Sequence, residues 1–164
     1  MSRWRDANLW FWLSLLAALA LALMPLPELL RGTKPFWLGL VVCFWVLEDA
    51  ERLSLGGAFL VGLGADLFTA GTLLGEQAMR LTVMVFIVLR LRSRLRFFPM
   101  PQQILAIIAL QANDRLVISV IRLFAGLGPL PSQAWFGPLV AGAVWPWLFL
   151  AFDRLRQRPR PRES

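Results

Sequence analysis

The chain has 164 residues, 58% of them hydrophobic, a formal net charge of +7, one Cys, and neither His nor Tyr. Its mean hydropathy is positive and its apolar runs are of spanning or nearly spanning length. This excludes a soluble core and points to an all-α polytopic membrane protein. An intrachain disulfide is impossible, a His/Cys metal site has no ligands, and no separate globular face exists to carry the charge to nucleic acid.

Residues 1–8 are a short polar start with Arg3 and Arg5. Residues 9–24 are apolar throughout and predict a first helix. Ala18-Leu19-Ala20 also resembles a cleavage pattern. The run is long for a signal core, however, and its loss would leave an odd number of spans. Pro25-Leu26-Pro27 ends it. Residues 35–47 are a second apolar run, short for a span unless Glu48 and Asp49 lie at the interface. Cys43 lies inside it and reads as a small buried hydrophobe.

Residues 53–75 are the expected centre of the fold. They hold one ionisable group, Asp66, and six glycines: Gly56, Gly57, Gly62, Gly64, Gly71 and Gly75. Gly62 and Gly64 suit close helix approach. Gly71 and Gly75 match a small-residue dimer pattern but read better as a tight turn. Residues 76–89 predict a fourth helix, and Arg90, Arg92, Arg94 and Arg96 a basic loop. Phe97-Phe98-Pro99-Met100-Pro101 reads as interfacial. Residues 104–124 predict a fifth helix and residues 133–152 a sixth, with a kink at Pro146. Residues 1–153 thus form one transmembrane domain of six helices. Residues 154–164 form a basic tail expected to be disordered and cytoplasmic.

Six spans put both termini on one side. Twelve basic residues fall there (Arg3, Arg5, Arg52, four loop arginines and five tail arginines) against Arg31 and Lys34 opposite, so that side is the cytoplasm. By helix rise, Asp66 lies about 20 Å and Arg115 about 21 Å above the inner end. Arg122 lies about 31 Å up, and Arg80 about 6 Å below the outer end. Asp66, Arg80, Gln111, Asp114, Arg115 and Arg122 therefore form an intramembrane polar cluster in the outer half. Asp66 is the expected partner of Arg80 or Arg115. Structural ion pairing is the plain reading, and a polar cavity or docking groove is the sharper one. No nucleophile stands beside a base, so no catalytic set can be assembled.

Several ordered motifs carry a family resemblance. Met24-Pro25-Leu26-Pro27, Lys34-Pro35-Phe36-Trp37 and Phe44-Trp45 come first. Arg52 to Gly56, Phe59 to Leu67 and Gly71 to Gly75 follow. Gln102-Gln103 and Trp145-Pro146-Trp147 complete the set. Together they resemble the rod shape-determining protein MreD family over nearly the whole chain. The chain departs from the family pattern in its acidic Glu48-Asp49-Ala50-Glu51 and in its polar Gln111-Ala112-Asn113-Asp114-Arg115.

The resemblance implies a non-enzymatic inner-membrane scaffold without cofactor. It would bind MreC, a bitopic membrane protein. Through MreC it would help couple MreB filaments to the peptidoglycan polymerase RodA and its class B transpeptidase. The family fold is similar to the substrate-capturing subunits of energy-coupling-factor transporters. That likeness supplies the alternative expectation, a small-molecule-binding transport subunit using the outer polar cavity.

Overall fold

The computed structural model describes residues 2–25, 27–28, 33–49, 51, 53–69 and 73–156. Among these are six α-helices and no strand: α1 (Ser2–Leu23), α2 (Trp37–Glu48), α3 (Leu55–Phe68), α4 (Glu76–Leu95), α5 (Met100–Ala125) and α6 (Gly137–Arg156). A short 3-10 helix, Ser132–Phe136, leads into α6. Met100–Ala125 and Ser132–Arg154 are long and apolar enough to cross a membrane. Gly71, Arg31, Arg52 and residues 157–164 of the tail lie outside the described residues.

A helix that is apolar on every side either faces lipid or is enclosed by other helices. α2 is such a helix and is enclosed: every residue from Leu38 to Leu47 is buried. α1, α4 and α6 all pack against it. α3 packs chiefly on α4, and α5 lies between α4 and α6. The centre is therefore α2, not the glycine-rich stretch that the sequence singles out. α3 is also shorter than expected, because its helix ends at Phe68 and Thr69 is already extended.

Local signals explain the boundaries. Ser54 caps α3 by accepting a hydrogen bond from the Gly57 amide at 3.1 Å. α5 opens after the extended Pro99, with Pro101 in its first turn, where a missing N–H costs nothing. It closes on Gly126, whose φ of 71° suits a residue without a side chain. Two boundaries differ from the sequence reading. α4 continues to Leu95, so Arg90, Arg92 and Arg94 are helical rather than in a loop. α5 begins at Met100, about one turn before the expected start. Pro146 is accommodated inside α6.

Gly62 sets the α3–α4 distance. A Cβ there would stand 2.6 Å from the Ala78 nitrogen and 2.8 Å from the Gln77 carbonyl oxygen, so the two backbones meet only because the side chain is absent. A Cβ at Gly64 would meet nothing within 4 Å. The expected pair of packing glycines thus reduces to Gly62.

Candidate functional site

Three chain segments meet at the N-terminal end of α2. Lys34, Pro35 and Phe36 are non-helical and half-buried to buried, so their backbone groups need partners from elsewhere. Gln111 on α5 supplies two. Its Oε1 accepts from the Phe36 N–H at 3.0 Å, and its Nε2 donates to the Phe36 carbonyl at 3.3 Å. One turn further along α5, Arg115 donates from Nη2 to the Lys34 carbonyl. Gly137 leaves space for this guanidinium, because a Cβ there would lie 3.2 Å from its Cζ. The Lys34 ammonium reaches back to the end of α1, donating to the Ala22 carbonyl in its last turn at 2.8 Å and to the Met24 carbonyl just beyond it at 2.5 Å.

Beside this clip, Arg80 of α4 donates to Asp114 of α5 through both Nε and Nη2, each at 2.8 Å. This planar two-bond pairing is the strong form of the ion pair. The Asp114 side chain is fully enclosed. Glu76, one turn before Arg80, lies 3.9 Å from Nη1. The Phe36 ring sits under the guanidinium, 4.0 Å from Cζ to centroid. Arg80, Asp114, Gln111 and Phe36 thus form one polar core joining α4, α5 and the start of α2.

Asp66 does not join Arg80 or Arg115 as expected. It accepts from the Gly75 amide at 2.8 Å and the Gln77 amide at 3.0 Å. Both belong to the N-terminus of α4, where free N–H groups and the helix dipole favour an anion. Gly75, with φ of 94°, has no side chain to cap that end. A carboxylate nine residues earlier does so instead. The sequence signal was present: a helix start at Gly75-Glu76 without Ser, Thr, Asp or Asn just before it, preceded by one acid in an apolar run.

Arg122 also stands apart from the core. Its guanidinium donates to the Gly128 and Leu127 carbonyls at 3.1 and 3.0 Å, folding over the end of its own helix. Of the six expected cluster residues, Arg80, Gln111, Asp114 and Arg115 share one site. Asp66 caps a neighbouring helix, and Arg122 holds the turn that follows α5.

The other end of the bundle uses polar groups sparingly. Arg92 donates from Nε to the Val46 and Leu47 carbonyls at 3.1 and 3.2 Å, closing the C-terminus of α2. Trp45 Nε1 donates to Ser14 Oγ at 2.8 Å, which joins α1 to α2. Phe44 stacks on Phe152 with centroids 5.0 Å apart and meets Phe149 edge-on at 5.8 Å. Gln103 donates to the Leu95 carbonyl at 3.2 Å and accepts from Trp145 Nε1 at 3.4 Å. The sequence reading noted Arg92 and Gln103 but gave neither a contact, because their partners are backbone carbonyls and an indole N–H far along the chain.

Residues 5–155 match the family model described as rod shape-determining protein MreD. The rod shape-determining protein MreD of Haemophilus influenzae is 32% identical over 141 residues, covering 86% of each chain. No solved structure matches the chain. With a match over most of its length and a relative at this identity, the chain belongs to the MreD family of rod shape-determining proteins, a structural family with a role in cell shape.

Proposed function

We propose that the protein is a non-enzymatic scaffold subunit of the cell-elongation complex. In this reading it crosses the inner membrane six times with both termini in the cytoplasm. It binds a bitopic MreC-like protein and so helps couple MreB filaments to RodA and its class B transpeptidase. Family membership over residues 5–155 is the observation that carries the reading.

The geometry supports it in two ways. α2 alone, at 12 residues, is about 18 Å long, short of a hydrocarbon core of about 30 Å. The non-helical Lys34–Phe36 leads into it, turning at Phe36 where the Trp37 N–H donates to the Pro35 carbonyl at 3.0 Å. Non-helical backbone is tolerated at membrane depth only where protein satisfies it, and Gln111 and Arg115 do so here. The polar residues of α5 thereby hold the non-helical entry to a short helix. Second, Arg80, Asp114 and Gln111 bind one another or backbone, as structural groups do, rather than pointing toward a ligand. The transport-subunit alternative draws on Arg115 Nε and Gln77 Oε1, both buried without a hydrogen-bond partner.

Affinity capture from membranes should recover a bitopic MreC-like protein, and depletion should round the cells. A purified sample that instead carries a stoichiometric small molecule and captures no bitopic protein would favour the transport subunit. A cytoplasm-active reporter fused at Ser164 should work, and a periplasm-active one there should not.

A further inference from the structure

The arginine run at the end of α4 divides by helical face. Arg92 turns inward to the α2 carbonyls. Arg90 and Arg94 are exposed and share the opposite face at i and i+4. The same stripe holds Met79, 52% exposed, and Phe86, 49% exposed. Past the helix end, where the Phe97 amide still bonds the Arg94 carbonyl at 3.2 Å, it reaches Phe97, 85% exposed.

Along one line, therefore, run apolar side chains, two guanidiniums and a final aromatic ring. Arg90 turns its guanidinium back over the Phe86 ring one turn earlier, 5.7 Å from Cζ to centroid, so the cation and the aromatic ring form one exposed unit. No acidic residue occurs between Glu76 and Asp114, and the ion pairs among the described residues leave Arg90 and Arg94 uncompensated. Two unpaired, exposed guanidiniums above a lipid-compatible apolar face are complementary to phosphate at the depth where acyl chains meet headgroups.

We propose that the stripe of Phe86, Arg90, Arg94 and Phe97 is a binding site for anionic phospholipid headgroups. Phe86 lies against the acyl chains, the two arginines hold the phosphate, and Phe97 sits at the interface. The inference rests on the membrane-spanning part of the proposed function but not on which side the termini face.

The test uses the full chain in lipid nanodiscs of phosphatidylglycerol or phosphatidylcholine. The measurement is the lipid retained on the protein by native mass spectrometry when the two lipids compete. The parent should prefer phosphatidylglycerol, and the preference should fall as salt rises. Changing Arg90→Gln and Arg94→Gln together should reduce it by about fivefold for each arginine removed. Arg154→Gln, an exposed arginine at the end of α6, should leave it unchanged.

An unaltered preference in the double variant overturns the proposal. So does an equal loss in Arg154→Gln, which would mean diffuse charge rather than a site. A parent without anionic preference, whose double variant loses capture of an acidic protein, also overturns it and assigns the stripe to that protein. Nanodiscs present the same lipid on both faces, so a failed topology reporter does not affect the result. An inserted chain without lipid preference fails this inference alone. A chain that does not reconstitute overturns the membrane reading with it.

Discussion

α2 and α3 are both short and apolar, at 12 and 14 residues, yet they hold opposite places in the molecule. α2 carries large side chains on all faces and is enclosed by three helices. α3 buries only Ala58, Gly62, Ala65 and Asp66 and leaves Leu55, Phe59, Leu60, Leu67 and Phe68 exposed. The difference is one of volume. Glycine lets one neighbour approach very closely, whereas Phe44, Trp45 and Leu40 need neighbours on several sides to fill the space around them. Glycine richness therefore marks closeness between two helices, and all-round bulk marks the centre.

If α2 is the centre, disturbing what anchors it should cost more than disturbing α3. The largest effect is expected at the Arg80–Asp114 pair, which bears on Phe36 through the guanidinium face. Asp114→Ala strands a buried arginine and should cost about 3–5 kcal/mol, while Arg80→Met with Asp114→Leu should come near neutral. Thermal unfolding in detergent, followed by tryptophan fluorescence, measures both. Equal losses in the single and double variants would mean that the pair does more than compensate charge. Next is Gln111→Leu, which leaves the Phe36 N–H unpaired and takes from its carbonyl one of two bonds, the other being from the Leu40 N–H at 3.0 Å. It should cost about 2–4 kcal/mol by the same measurement.

On the α3 side the effects should be smaller and local. Gly62→Val forces the backbone of α3 from Ala78 and should cost about 1–3 kcal/mol. Gly64→Ala meets open space and should stabilise by up to about 1 kcal/mol, since glycine weakens a helix interior. If the two changes cost the same, Gly62 does not set the helix separation.

Much of this was legible in the sequence. The apolar runs and their proline and glycine boundaries gave the number and order of helices, because those signals are local. The polar residues near the N-terminal end of α2 were found for the same reason: charge in an apolar run is conspicuous. Their pairing was not legible. Depth along a helix locates a residue on one axis, but which faces meet depends on packing. That is how Arg80 goes to Asp114 and not to Asp66. The centre was not legible either: residues 35–47 read as a run short for a span, and apolar bulk on every side fits a lipid-facing helix as well as an enclosed one.

The smallest expected loss concerns Asp66, and it separates two accounts of α3. If Asp66 were the counter-ion of a buried arginine, Asp66→Ala would rank with Asp114→Ala. As a cap on the first amides of α4, it should cost about 0.5–2 kcal/mol, the range for losing a side-chain cap. Asp66→Asn keeps one acceptor and should recover part of this. A double-mutant cycle decides between the accounts. The coupling between Asp66→Ala and Arg80→Ala should be close to zero, because the two side chains share no bond. That between Arg80→Ala and Asp114→Ala should be large. The damage should also be local. Without the carboxylate the turn before α4 loses its tie to α3, so amide exchange should quicken at Gly75 and Gln77 while the amides of α2 keep their protection. Faster exchange throughout α2 in Asp66→Ala would restore the glycine-rich helix to the centre of the fold.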